Sequence, residues 1–190
     1  HVVYGEDMGI LTGDALLNYA LETAFKAFVT EPEDSLAIGR ALTVLGDKAG
    51  IYGMIGGQVI DVKETGRRVS REVLCTIYRL KTAALIEASM MIGAILGGAS
   101  EEEVRKVEKI AGYVGVAFQI KDDILDVTSS SETLGKPTHS DEKNEKTTYV
   151  TLMGIQEAEK EVKRLSEEAI RLLHELSGEN AFLEHLLLQL

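Results

Sequence analysis

Apolar residues recur every three or four positions along most of the chain, the spacing that places them on one side of an α-helix. Alternation of apolar and polar residues, which is typical of strands, is scarce, and only two prolines interrupt the pattern. The pattern therefore predicts an all-α protein. The predicted helices cover residues 8–28, 32–49, 50–65, 70–97, 100–127, 147–176 and 181–190.

Two of these helices begin with residues that have capping-box spacing. Thr30 and Glu33 stand before the second helix, and Ser100 and Glu103 stand before the fifth. The helices over 70–97 and 100–127 are apolar around most of their circumference, so we expect them at the centre of a bundle. Residues 128–144 break the pattern with Ser, Thr, Gly, Pro and charged side chains, and a loop of that length is usually functional or disordered.

Composition limits the class of protein further. With 190 residues, 45% of them hydrophobic, and no internal repeat or linker, residues 1–190 are expected to form a single domain. The formal charge of −11 argues against nucleic acid as a partner, because phosphate backbones bind basic surfaces. The one cysteine excludes an internal disulfide, and no apolar stretch reaches the length of about 20 residues that a membrane span needs. We expect a soluble, cytoplasmic protein without stable membrane insertion.

The fifth helix ends in an acidic group of side chains. Gln119, Asp122, Asp123 and Asp126 are spaced by three or four residues, so they project from one side of the helix within two turns. Carboxylates near a helix C-terminus oppose its dipole and repel one another unless a cation binds them. Oxygen ligands of this kind suit Mg²⁺ held together with substrate phosphates, and the alternative is a solvated acidic helix end.

A single basic residue interrupts the apolar stripe of the fourth helix. Lys81 lies in a series that includes Leu74, Ile77, Leu85 and Ala88, all spaced by three or four residues. A lysine at such a position either extends along the surface to water or holds an anion. The residues alone do not decide between the two.

Three weaker features accompany this lysine. Lys136 and Lys146 lie in and just after the long loop, where they could pair with the acidic group or with bound phosphates, or be ordinary surface lysines. Gln58 and Asp61 share one face of a helix whose glycines permit close backbone approach. Asp14 and Asn18 fall within the apolar stripe of the first helix, as either a buried hydrogen-bonded pair or part of a site.

Taken in order along the chain, these residues resemble the C-terminal two-thirds of a trans-isoprenyl diphosphate synthase, the family of farnesyl and geranylgeranyl diphosphate synthases. The motifs are Tyr4-Gly5-Glu6, Gly13-Asp14-Ala15-Leu16-Leu17, Gly57-Gln58-Val59-Ile60-Asp61, Lys81-Thr82, Phe118-Gln119 followed by Asp122, Asp123 and Asp126, Leu134-Gly135-Lys136-Pro137, and Lys146-Thr147-Thr148-Tyr149. A lone Asp-rich motif would be weak evidence. The ordered set is specific.

The resemblance implies a fold and a set of roles. The fold is the all-α isoprenoid-synthase bundle, usually a homodimer, here without its N-terminal helices. The implied roles are Mg²⁺ binding by Asp122, Asp123 and Asp126, contact with the allylic diphosphate by Lys81, Lys136 and Lys146, positions near that diphosphate for Thr82 and Gln119, and a position beside isopentenyl diphosphate for Phe118. Lys81, Asp122 and Lys136 are the candidate catalytic residues.

The implied reaction is a metal-assisted ionisation. Mg²⁺ and lysines would neutralise the charge that develops on the leaving diphosphate, and the double bond of isopentenyl diphosphate would then attack the allylic cation. The family's first Asp-rich motif, the Arg-Arg that follows it and the upstream basic residues have no counterpart in this sequence. We therefore expect this polypeptide alone to be inactive or nearly so.

The same resemblance says less about which prenyl diphosphate is the product and about whether the protein is a catalytic synthase. The short-chain style of the motifs favours farnesyl diphosphate as product, with geranylgeranyl diphosphate second. A non-catalytic regulatory subunit of a synthase is a further alternative, although such a subunit need not retain the Asp and Lys residues. A terpene cyclase would share the implied fold and the ionisation step.

Overall fold

The computed structural model describes residues 1–129, 146–178 and 180–189, and every regular element within them is helical. The elements are α1 (Glu6–Phe25), α2 (Ala27–Thr30), a 3₁₀ turn (Pro32–Asp34), α3 (Ser35–Ala49), α4 (Met54–Glu64), α5 (Arg71–Ile77), a π-helical segment (Tyr78–Ala83), α6 (Ala84–Leu96), α7 (Glu101–Thr128), α8 (Tyr149–Met153), α9 (Ile155–Leu173) and α10 (Ala181–Leu187). The predicted all-α class is confirmed. Most of the predicted loop and Lys136 lie outside the described residues.

One of the two predicted capping boxes forms. Ser100 caps α7: its side chain accepts from the Glu103 amide, and the Glu103 carboxylate accepts from the Ser100 amide. The prediction for Thr30 and Glu33 was wrong. Thr30 is the last residue of α2 and donates to the carbonyl of Ala27, and Glu33 lies in the 3₁₀ turn, so neither occupies the position a capping box requires.

Two predicted helices are divided. The first ends at Phe25, and α2 follows after Lys26. The helix predicted over 147–176 is broken at Gly154, whose φ of +82° lies in the left-handed region that favours glycine. That turn lets the short α8 end and α9 begin in a new direction.

The fourth predicted helix changes its winding in the middle. Between α5 and α6 the chain forms the π-helical segment Tyr78–Ala83, which has one more residue per turn than an α-helix. The extra residue rotates the side chains that follow, so the predicted stripe through Lys81 holds only in part: Leu74, Ile77 and Ala88 are buried, but Leu85 is not. Leu85 is 38% exposed, whereas Ala84, Ala88, Met91 and Ile95 are buried.

The helices pack as a wall with α6 and α7 at its centre. α3 packs against α6, α6 against α7, and α7 against α9, while α4 rests on the π-helical segment. A Cβ added at Gly115 would stand 2.3 Å from Ala83, and one at Gly112 would stand 3.0 Å from Glu87, so the antiparallel α6 and α7 approach closely. The central position predicted for these two helices is confirmed.

The core lies mainly between α7 and its neighbours. Its largest group of buried side chains joins α5, the π-helical segment, α7, α8 and α9 and includes Leu74, Tyr78, Ile120, Tyr149 and Leu165. No residue of α1 is buried, and Asp14 and Asn18 are both exposed, so the first of the two alternatives for these residues, a buried hydrogen-bonded pair, was wrong. None of the helices in the described ranges has the length and apolarity that a membrane crossing requires.

Candidate functional site: a lysine pair beside an acidic helix end

The π-helical segment carries two of the predicted site residues side by side. Lys81 and Thr82 are partly buried, and Ala83 beside them is completely buried against α7. Single turns of π-helix are frequent at functional sites, and the extra residue redirects side chains that an α-helix would place elsewhere. The local winding therefore sets the direction of Lys81 and Thr82.

Lys81 and Lys146 converge on one carboxylate of α4. Lys81 Nζ lies 2.6 Å from Oδ2 of Asp61, and Lys146 Nζ lies 2.9 Å from the same oxygen. Burial raises the pKa of Asp61, but the hydrogen bonds and charges of the two lysines outweigh it, so the net pKa is lowered. The carboxylate is therefore ionised at neutral pH and holds two cations from distant parts of the chain.

The close approach of α4 to the π-helical segment makes this contact possible. A Cβ added at Gly57 would stand 2.3 Å from the backbone nitrogen of Lys81 and 2.7 Å from the carbonyl carbon of Leu80. Asp61 follows Gly57 by one helical turn, so its carboxylate reaches Lys81 from a backbone in direct contact. The expectation that the glycines permit close backbone approach is confirmed at Gly57.

A second contact joins the π-helical segment to the acidic end of α7. The Thr82 hydroxyl lies 2.8 Å from Oε1 of Gln119, and Gln119 precedes Asp122 by about one turn on the same helix. The lysine pair and the acidic group therefore belong to one region of the fold. The sequence analysis had grouped these motifs only through their resemblance to the family.

The three aspartates of α7 have different surroundings. Asp123 is 3% exposed, and its Oδ2 accepts from the Tyr78 hydroxyl and, at 2.8 Å, from the Tyr149 amide. Asp126 is also buried, and Asp122 is partly buried. Asp123 thereby ties the π-helical segment to α7 and to the N-terminus of α8, where a negative charge is favourable.

The donor chemistry fits a magnesium ion only in part. Across residues 1–129, 146–178 and 180–189, no group of three His, Cys, Asp or Glu side chains is arranged to hold a metal ion. Mg²⁺ that is bound together with phosphates needs only one or two protein carboxylates. Asp122 and Asp126 supply two carboxylates of this kind, and one oxygen of Asp123 accepts hydrogen bonds from Tyr78 and Tyr149.

Lys146 is fixed through the residue that follows it. The Thr147 hydroxyl donates to the Arg67 carbonyl at 3.0 Å and accepts from the Val69 amide at 3.4 Å. Thr148 then caps α8 by accepting from the Thr151 amide. The chain that follows Lys146 is therefore anchored to the 67–69 turn and to α8.

Phe118, the residue expected beside isopentenyl diphosphate, is 51% exposed on α7. It directly precedes Gln119, the residue of α7 that contacts Thr82.

Several residues that shape the site were not predicted from the sequence. Nothing in the spacing of Tyr78 and Tyr149 distinguishes them from ordinary core aromatics, yet both contact Asp123. The Lys48 ammonium also went unnoticed: it contacts the carboxylates of Glu87 and, at 2.6 Å, Glu108, which links α3 to α6 and α7. The sequence does hold one signal for this second cluster: Glu87 lies within an apolar helix, and the structure shows that it is buried.

The described residues thus form an all-helical wall with paired lysines, a threonine–glutamine contact and an aspartate-rich helix end. The polyprenyl synthetase family model matches residues 1–182. The chain therefore belongs to the polyprenyl synthetase family.

Relatives and solved structures agree with this assignment. The chain is 44% identical over 170 residues to a chloroplastic geranylgeranyl pyrophosphate synthase of Capsicum annuum, an alignment that covers 89% of this chain and 46% of that protein. It is 40% identical over 172 residues to the large subunit 1 of a heterodimeric geranylgeranyl pyrophosphate synthase of Arabidopsis thaliana, with 89% and 46% covered. The chain thus spans about half the length of these curated relatives.

The fold matches a solved structure over its whole length. A geranyltransferase of Helicobacter pylori, crystallised with magnesium and isoprenyl diphosphate, superposes with a TM-score of 0.83 at 32% identity, covering 100% of this chain and 62% of that one. A geranylgeranyl pyrophosphate synthetase of Pyrococcus horikoshii superposes with a TM-score of 0.83 at 27% identity, covering 98% and 67%. The predicted isoprenoid-synthase bundle is confirmed.

Proposed function

We propose that residues 1–190 form one unit that supplies the diphosphate-binding wall of a trans-prenyltransferase, which joins an allylic diphosphate to isopentenyl diphosphate. The observation that carries the proposal is the convergence of Lys81 and Lys146 on Asp61, because two ammonium groups held together form a natural site for a diphosphate. Membership of the polyprenyl synthetase family supports the same substrate class.

Each side chain has a proposed part in the ionisation of the allylic substrate. Lys81, Lys136 and Lys146 would bind the diphosphate and stabilise the charge that grows on it as the carbon–oxygen bond breaks. Thr82 and Gln119 hold one another and would orient the leaving group. Bound Mg²⁺ would add Lewis-acid stabilisation of the leaving diphosphate, and Asp122 and Asp126 are its proposed ligands, with Asp123 fixing their helix.

Isopentenyl diphosphate, the second substrate, is proposed to bind on the side of the site where Phe118 is exposed. An aromatic ring there can cover the apolar part of isopentenyl diphosphate and exclude water from the allylic cation. After the new carbon–carbon bond forms, a base must remove a proton. The proposed base is the departing diphosphate, which the lysines hold.

For the product we propose geranylgeranyl diphosphate rather than the farnesyl diphosphate that the motif style favoured. Both relatives described above are geranylgeranyl pyrophosphate synthases. A homodimer, as the family resemblance implies, is the proposed assembly. One of the two relatives is a subunit of a heterodimer. The alternative assembly is therefore a complex with a second kind of chain, and a native mass measurement distinguishes it from a homodimer.

The test of the proposal is magnesium-dependent binding of a bisphosphonate, which imitates a diphosphate without reacting. We expect calorimetric binding to the chain that disappears without Mg²⁺ and falls roughly tenfold or more in Lys81→Met and in Asp122→Ala. Asp47→Asn, an exposed charge change on α3, is the matched control and is expected to bind like the wild type. Binding that ignores Mg²⁺ and both substitutions would refute the proposal.

Product analysis separates the remaining classes of reaction. Because residues 1–190 alone are expected to be inactive, the active synthase that contains them is incubated with Mg²⁺ and an allylic diphosphate, with and without labelled isopentenyl diphosphate. A labelled C20 diphosphate supports the proposed product, and a labelled C15 diphosphate supports the farnesyl alternative. A cyclic hydrocarbon formed without isopentenyl diphosphate would mean a terpene cyclase.

A further inference from the structure

Lys81 and Lys146 come from positions far apart in the sequence and share a single acceptor atom. Both contacts end on Oδ2 of Asp61, at 2.6 Å and 2.9 Å, so the two ammonium groups cannot be farther apart than these two distances together. Like charges at that separation repel one another, and a free lysine side chain would turn toward water. The Asp61 carboxylate counteracts this repulsion.

The position of Asp61 is well determined by its surroundings. Its side chain is 15% exposed, while those of Lys81 and Lys146 are 33% and 30% exposed. Gly57, one turn earlier on α4, lies against the backbone of Lys81, and Thr147 anchors the chain beside Lys146. The carboxylate is therefore the least exposed member of the trio, and the two ammonium groups form its more accessible side.

The charges of the trio leave a net attraction for anions. One carboxylate between two ammonium groups gives a net charge of one positive unit, with the ammonium groups as the more exposed partners. A diphosphate can therefore approach both lysines without displacing Asp61, because each ammonium group has three donor hydrogens.

We propose that Asp61 is a positioning residue that holds the Lys81 and Lys146 ammonium groups side by side, so that both bind the same diphosphate. The inference rests on the proposed function, since it assumes that the two lysines contact that group. In this role Asp61 strengthens the binding of an anion, whereas simple charge neutralisation would weaken it. If Asp61 only neutralised the lysines, its removal would strengthen anion binding.

The test measures the binding of inorganic pyrophosphate with Mg²⁺ by calorimetry. Asp61→Asn should weaken binding roughly tenfold or more, although it makes the site more positive. Asp47→Asn removes the same charge from an exposed position of α3 and should change binding less than about twofold. Circular dichroism confirms that both variants are folded. Asp61→Asn binding as tightly as the wild type, or more tightly, would overturn the inference.

A coupling measurement separates positioning from a general structural effect. In a Lys146→Met background, Asp61→Asn should cost at least threefold less than it does in the wild type, because half of the arrangement that Asp61 maintains is already absent. An equal loss in both backgrounds would mean that Asp61 acts elsewhere, and the inference would be wrong.

A third measurement does not depend on the proposed function. The ¹⁵N resonances of the lysine ammonium groups are assigned with Lys81→Met and Lys146→Met, and both are expected to shift in Asp61→Asn. If they do not move, Asp61 does not hold the two groups. If they move but the wild-type chain binds no pyrophosphate, the proposed function fails while the contact itself stands.

Discussion

Gly57 on α4 lies directly against the backbone of Lys81. A methyl group at Gly57 would be 2.3 Å from the Lys81 nitrogen, a distance that no side chain can accommodate without moving one of the two helices. This contact brings Asp61 to Lys81. The geometry of the proposed diphosphate site therefore depends on Gly57, one turn before Asp61, having no side chain.

The first prediction concerns this contact. Gly57→Ala should lower the free energy of unfolding by about 1–3 kcal/mol, because overpacking forces the backbone apart. Gly46→Ala on α3 is the control: a Cβ at Gly46 meets nothing within 4 Å, and alanine should stabilise the helix by about 0.5–1 kcal/mol. Urea denaturation measures both. Equal effects of the two substitutions would contradict the close approach.

Helix period and capping predict most of the fold, because these signals are local. The apolar spacing predicts α3, α7 and the joint span of α5 to α6 to within a few residues, and Ser100 with Glu103 predicts the start of α7. It does not predict that the helix expected over 147–176 is divided into α8 and α9. The π-helical segment could not be predicted, since its six residues are ordinary helix formers and its winding depends on packing against α4 and α7.

In the candidate site, too, features within one helix could be predicted from the sequence, and contacts between helices could not. The spacing of Gln119, Asp122 and Asp126 follows from one helix and was available in the sequence. The contacts of Asp61 with Lys81 and of Asp123 with Tyr78 depend on how helices meet. No spacing rule relates residues that are distant in the chain, so these partners required the structure.

The second prediction concerns the buried contact between Tyr78 and Asp123. Tyr78→Phe removes a hydroxyl that donates to a buried carboxylate, and it should lower the free energy of unfolding by about 1–3 kcal/mol. Tyr52→Phe, at a residue that is 84% exposed, should have almost no effect. Thermal denaturation measures both. A Tyr78→Phe variant as stable as the wild type would show that this bond does not contribute to stability.

The third prediction tests the ion cluster of Lys48, Glu87 and Glu108. Burial lowers the pKa of Lys48, but the hydrogen bonds and charges of the two glutamates outweigh it, so the net pKa is raised. Lys48→Met leaves Glu87, which is 6% exposed, without this counterion and should cost about 2–4 kcal/mol.

The matched control for that prediction is Glu108→Gln. The Glu108 side chain is 39% exposed, so water replaces much of what is lost and the expected cost is below about 1 kcal/mol. Urea denaturation of the two variants should therefore give clearly different midpoints. Similar midpoints would indicate that Lys48 is not the group that compensates the buried charge of Glu87.

The last prediction is a pH dependence that arises at the start of α7. Hydrogen bonds from Ser177 and from the amide and hydroxyl of Ser100 lower the pKa of Glu103 to about 2, from an ordinary value of 4.5. Because the folded protein holds this carboxylate ionised more strongly than the unfolded chain does, the stabilisation is complete above pH 4.5. It should decline as the pH falls toward 2.

Thermal melts of wild type and Glu103→Gln between pH 7 and pH 2 measure this effect. The wild type should melt at a higher temperature at neutral pH, and the difference should shrink steadily below pH 4.5. Glu159→Gln, at an exposed position of α9, should give a difference that is small at every pH. A constant difference between wild type and Glu103→Gln across the range would mean that the Glu103 carboxylate gains nothing from its contacts in the folded state, because linkage requires stability to follow the change in pKa.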